Sequence, residues 1–173
     1  TATLARYPKR QDAARVLAVV PGSRLFLKAK ALGTPHIADR IRQRFARAGV
    51  DPARLELTGW KKTHGDHLAV YGSVDIALDS FPYNGTTTTC EALWMGVPVV
   101  SLEGNRHAAR VGLSLLHAVG LDDLVAKDVD GYVATAARLA ADPAALSELR
   151  KDLRERVRRS PLRDEAAFVR AIE

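Results

Sequence analysis

Cysteine is almost missing from this chain. Cys90 is the only one in 173 residues, so no internal disulfide can form and no cysteine cluster can hold a metal. Aromatic residues are also scarce, at 6% against 47% hydrophobic residues overall, so the core must be mainly aliphatic. That apolar content suffices for one sizeable domain. No uninterrupted apolar run approaches the roughly 20 residues that cross a bilayer, and residues 1–10 lack the apolar centre of an export signal. A cytoplasmic location with no membrane partner is the expectation. No Gly-rich fingerprint follows a first strand, which argues against dinucleotide-dependent oxidoreduction. Charge of neither sign is lacking: 26 basic residues interleave with 20 acidic ones, for a net +6 and a pI of about 9.8. The densest stretch, 148–159, mixes both signs on a helical pattern. A solvated helix face explains it more simply than a nucleic acid partner, and none is expected.

What the sequence does contain is an alternation. Short apolar runs at 24–28, 55–59, 74–78 and 97–102 read as strands, and a shorter one lies within 122–126. Between and after them come helical patterns at 11–20, 35–48, 67–72, 90–95, 108–119, 132–141, 144–159 and from Asp164 to Ile172. Residues 1–10 give no clear element. Strands alternating with helices predict an α/β fold with a doubly wound parallel sheet and C-terminal helices. Ligands of such sheets lie beyond the carboxyl ends of the strands.

The stretch from Asp79 to Val100 organises the chain. A strand ends at Asp79, and Pro82 together with Asn84-Gly85 forces a turn. Four threonines, Thr86 to Thr89, then open a helix that Gly96 stops before the next apolar strand. Threonine is a mediocre helix former, so four in a row call for a reason. Unpaired N–H groups and the positive end of the dipole suit a phosphate there, and the hydroxyls would add donors. Glu91, one turn further in, can accept from two sugar hydroxyls, as carboxylates do in nucleotide-binding α/β folds. The alternative is plainer: one threonine caps the helix, the others are solvated, and Glu91 complements the dipole.

Other candidates follow strand ends. Lys28 and Lys30 close the first apolar strand, as ligand contacts or as solubilising charges. His64 and His67, three apart, can share one helical face. They would contact a phosphate or base, or stand exposed; a metal would need a third protein ligand that the sequence does not nominate. No metal site is expected.

These residues carry a resemblance. The stretches 67–79, 81–91, 94–98 and 104–108, with their mutual spacing, resemble the C-terminal catalytic lobe of the protein O-GlcNAc transferases and the related SPINDLY proteins. The likeness runs from about Val20 to the C-terminus. It implies the Rossmann-like C-terminal lobe of a two-lobed glycosyltransferase-B fold, the lobe that binds the nucleotide-sugar donor, usually preceded by tetratricopeptide repeats. Residues 1–20 would be an N-terminal helical segment at the start of a truncated lobe, and 21–173 the donor-binding lobe.

The resemblance also implies roles. His67 matches the histidine beside the donor diphosphate, and Thr87 and Thr88 the threonine pair on phosphate. Glu91 falls where O-GlcNAc transferases have an aspartate on the ribose and SPINDLY has glutamate. Thr86 replaces a histidine of the animal enzymes, as in SPINDLY, and His107 also follows SPINDLY. His64 stands in place of an animal lysine that contacts donor. Lys28, Asn84, Gly85, Thr89 and Arg110 are lesser candidates.

The implied function is the donor-binding half of an inverting, metal-independent protein O-glycosyltransferase that moves GlcNAc from UDP-GlcNAc to serine or threonine hydroxyls. Plant SPINDLY uses GDP-fucose, so O-fucosylation is the alternative. An inactive nucleotide-binding or interaction module is another. No cofactor is implied beyond the nucleotide sugar, and no catalytic residue is assigned within this chain. The acceptor groove and the base would belong to the other lobe and the repeats. These are expected to be missing here, as are the opening strand and loop of the donor lobe.

Overall fold

The computed structural model describes residues 3–5 and 10–173. Six strands form one sheet: β1 (Thr3–Ala5), β2 (Arg24–Lys28), β3 (Leu55–Thr58), β4 (Ile76–Leu78), β5 (Val99–Leu102) and β6 (Val125–Ala126). Their order is β3-β2-β1-β4-β5-β6, and every pairing is parallel, with Leu25 beside Leu55 and Ala77 beside Val99. The expected doubly wound parallel sheet is therefore present. Neighbouring strands run outward in both directions from β1 and β4, so the switch point lies between these two, where such sheets open a crevice.

The helices are α1 (Arg10–Val19), α2 (Pro35–Ala46), α3 (His64–Ala69), α4 (Thr87–Trp94), α5 (Val111–Ala118), α6 (Val129–Ala141), α7 (Pro143–Arg159) and α8 (Glu165–Ile172). The core is aliphatic: Leu25, Ile76, Leu78, Val99, Val100 and Leu93 are completely buried. β4 and β5 are buried along their whole length, as central parallel strands covered on both faces should be. α6 packs against α1 and α7 against α4.

Three sequence expectations are corrected. A strand does open the sheet: Thr3–Ala5 pairs with both β2 and β4 and sits between them. Its three residues offered too short a run to read without partners. Residues 6–9, where the expectation about the opening loop falls, lie outside the described residues, as do residues 1–2; both stretches fall in the segment 1–20 expected to be helical. The second correction is α3, which starts at His64 and gives way to a 3-10 turn, Val70–Ser73. A capping box moves its start forward: the Thr63 hydroxyl accepts from Asp66 N, and the Asp66 carboxylate from Thr63 N. The third is α6, which begins at Val129 because the Asp128 carboxylate accepts from Gly131 N. Gly96 ends α4 with φ +76°, and a Cβ there would stand 2.9 Å from the Arg150 carbonyl oxygen, so both backbone conformation and space require glycine.

Candidate functional site

Three side chains from three elements meet beyond the carboxyl ends of β2 and β3. Lys28 is the last residue of β2, His67 projects from α3, and Glu91 comes from the second turn of α4. The Lys28 ammonium donates to His67 Nδ1. With that nitrogen accepting, His67 Nε2 carries the proton and donates to Glu91 Oε2 at 2.8 Å. Tyr71 closes the array: its hydroxyl donates to the Thr88 carbonyl (3.2 Å), lies 3.4 Å from Glu91 Oε2, and its ring meets His67 edge-on. His67 and Glu91 are only 24% and 16% exposed, so their contact is little weakened by water.

Lys28 is held below the ordinary lysine range. Burial is the main cause; the Glu91 carboxylate opposes it, and the Lys61 ammonium adds to it. The capping box of α3 sets His64 and His67 one turn apart on the same side, with ring centroids 5.9 Å from each other. Around this array opens a cleft of about 460 Å³, lined by Lys28, Trp60, Lys61, Lys62, Thr63, His64, His67, Thr88 and Glu91.

The start of α4 forms one wall. Thr86 occupies its cap position without a side-chain capping bond, whereas α3, α6, α7 and α8 are capped by Thr63, Asp128, Asp142 and Asp164. The first N–H groups of α4 have no intrahelical acceptor. Thr86, Thr87 and Thr88 are exposed, while Thr89 is buried and donates to the Gly85 carbonyl at 2.8 Å. The four threonines thus divide into three that face outward and one that locks the turn.

Asp79 holds that turn in place. Its buried carboxylate accepts from Ser80 N, Gly85 N and the Ser101 hydroxyl, each at 2.9 Å, and Tyr132 donates to its carbonyl at 2.9 Å. Asn84 is 1% exposed. Its amide nitrogen donates to Ser80 O and its amide oxygen accepts from Gly112 N, so its side chain is spent on the fold.

Of the residues singled out from the sequence, the fold brings Lys28, His64, His67, Thr88 and Glu91 into one cleft, with Thr86 and Thr87 on the same helix start. Asn84, Gly85 and Thr89 lie beneath it as support. His107 stands exposed in the turn His107–Ala109, and Arg110 pairs with Glu103 at 2.5 Å; neither lines the cleft. Sequence reasoning passed over Trp60, Tyr71 and Asp79. Asp79 did carry a signal, as a carboxylate between a strand of buried apolar residues and a turn. Tyr71 carried none, because only the tertiary placement of the turn Val70–Ser73 beside α4 brings its hydroxyl to Thr88 and Glu91.

Among the described residues, no three His, Cys, Asp or Glu side chains gather as metal ligands would, and no helix is long and apolar enough to cross a membrane.

Comparison with known proteins gives a consistent picture. The model of Glycosyl transferase family 41 matches residues 8–172. A Solanum lycopersicum protein named "Probable UDP-N-acetylglucosamine--peptide N-acetylglucosaminyltransferase SPINDLY" is 49% identical over 164 residues, 92% of this chain and 17% of the relative. The Caenorhabditis elegans UDP-N-acetylglucosamine--peptide N-acetylglucosaminyltransferase is 34% identical over 137 residues, 79% of this chain and 12% of that protein. Among solved structures, a mutant of the Thermobaculum terrenum O-GlcNAc transferase superposes with a TM-score of 0.90 at 36% identity, over 99% of this chain and 34% of the other. The chain therefore spans about a sixth of the length of its SPINDLY relatives.

Proposed function

The chain belongs to glycosyl transferase family 41, and on that premise we propose that its cleft holds the nucleotide-sugar donor of a protein O-glycosyltransferase. One observation carries the proposal: Lys28, His67 and Glu91 converge beside the outward-facing start of α4. The donor diphosphate rests on the N–H groups and hydroxyls of Thr86, Thr87 and Thr88, with Lys28 and His67 alongside. These groups meet the negative charge that grows on the leaving nucleoside diphosphate, a task that needs no metal ion when fixed donors and a cation supply it. Glu91 fixes the tautomer of His67 and takes a ribose hydroxyl. A serine or threonine hydroxyl of an acceptor protein attacks the anomeric carbon from the face opposite the diphosphate, which inverts it. The acceptor and its base are contributed by parts of the enzyme beyond these residues.

UDP-GlcNAc is the first donor reading, in line with the names of the relatives. GDP-fucose is the second; it is favoured by Glu91 and Thr86, where the chain resembles SPINDLY rather than the animal enzymes. Calorimetric titration with UDP, GDP, UDP-GlcNAc and GDP-fucose tests both. Binding of one nucleotide pair, weakened by Lys28→Met, is expected. A folded chain that binds none of the four overturns the proposal.

A further inference from the structure

Trp60 is the largest aromatic side chain at the cleft, and it is 74% exposed. One exposed aromatic ring is ordinary by itself, but an indole at the mouth of a polar cleft offers a flat π-face to a flat partner. Its backbone is not loose. Gly59, immediately before it, packs so closely on Gly33 that a Cβ would meet the Gly33 Cα at 2.9 Å. That contact ties the end of β3 to the turn Lys30–Gly33 and sets where Trp60 leaves the sheet. The ring also has a neighbour inside the cleft: the Lys28 ammonium lies 5.8 Å from its centroid. Lys28 thus touches both the indole and the His67–Glu91 array. The cleft has a hydroxyl-bearing wall at α4 and an indole at Trp60, with the Lys28 ammonium between them.

A nucleoside diphosphate has the same polarity. Its phosphates need cations and N–H donors, its ribose needs hydrogen-bond acceptors, and its base needs a π-surface. We infer that Trp60 is the stacking platform for the donor's nucleobase, with the ribose at Glu91 and the diphosphate at Lys28 and the start of α4. This rests on the donor-binding reading above and adds a residue that discriminates nucleotides from bare phosphates. Stacking on an aromatic ring tolerates different bases, because each offers a π-face.

The chain has two tryptophans, and the second, Trp94, is half-buried against Arg154 and Arg163. In the Trp94→Phe variant, fluorescence reports on Trp60 alone. Whichever of UDP and GDP the cleft binds is expected to quench it saturably, and pyrophosphate to leave it unchanged. In calorimetry, Trp60→Ala should weaken the nucleoside diphosphate that binds by about tenfold, equal to about 1.4 kcal/mol, and leave pyrophosphate affinity as it was; Trp60→Phe should recover part of the loss. Unchanged nucleotide affinity in Trp60→Ala overturns the platform. So does an equal loss for pyrophosphate, which would make Trp60 a positioner of Lys28. A loss seen with the nucleotide sugars but not with UDP or GDP would place the sugar, not the base, on the ring and also overturn it. Nucleotide binding that depends on Lys28 but not on Trp60 sinks this inference alone. No nucleotide binding by the unaltered chain sinks the donor-binding reading with it.

Discussion

The threonine run allows one prediction with its control built into adjacent residues. Thr87 and Thr88 are exposed at the start of α4, while Thr89 is buried and bonded to the Gly85 carbonyl at 2.8 Å. Replacing Thr87 and Thr88 together by valine keeps shape and β-branching and removes two hydroxyls. Helix propensity barely changes, and exposed substitutions of this kind stay within about 0.5 kcal/mol. The melting temperature should therefore hold. A hydrogen bond to a charged group contributes about 1.5–3 kcal/mol, so losing even one from the diphosphate should weaken nucleotide binding at least tenfold. Thr89→Val should do the reverse. It strips a buried bond and leaves the Gly85 carbonyl without that donor, costing about 1–3 kcal/mol of stability, while nucleotide affinity falls far less. Calorimetric titration with UDP and GDP, paired with thermal melts of both variants, reads the two effects separately. If the folded Thr87/Thr88 double variant binds nucleotide as tightly as the parent, the phosphate assignment at α4 is wrong and the outward threonines are an ordinary helix start.

Three further outcomes follow from the geometry. Lys28 titrates below its ordinary value of 10.5, and the bound diphosphate favours its charged form, so nucleotide affinity should be level at lower pH and fall as pH rises through the free-state pKa. Glu91→Gln removes the one interaction that raises that pKa, and Lys61→Ala removes one that lowers it; the midpoint of the affinity–pH curve should move down in the first and up in the second, and identical midpoints would refute the assignment. Gly112→Ala should destabilise the fold by about 1–3 kcal/mol in urea denaturation, because its Cβ would lie 2.0 Å from Ser101 Oγ and 2.7 Å from an Asp79 carboxylate oxygen. Arg54 donates to the carbonyls of Leu17, Val20 and Ser23 and to the Ser23 hydroxyl; Arg54→Met should cost about 1–3 kcal/mol, and Arg54→Lys, lacking the planar fork, should recover only part.

The division of labour between sequence and fold is visible in particular residues. Apolar periodicity was enough to show a parallel α/β sheet, because central strands such as β5 (Val99–Leu102) must be apolar on both faces and their helices carry a one-sided stripe. Turn chemistry located the strand-to-helix transition at Asp79–Thr89, since proline, Asn-Gly and a threonine run act through nearest neighbours. The spacing of His64 and His67 stated their common face in advance. Strand order was beyond it: Thr3–Ala5 is three residues long, and only its two parallel partners make it a strand at the centre of the sheet. The site was beyond it for the same reason. Lys28, His67 and Glu91 are 39 and 24 residues apart along the chain, and nothing in their local pattern pairs them. Tertiary structure alone turned Thr89 inward and Thr88 outward, spent Asn84 on the fold, and set Trp60 beside Lys28. Local sequence decides which backbone conformations a segment prefers; which side chains then face one another depends on how the elements stack, through contacts between residues far apart in the chain.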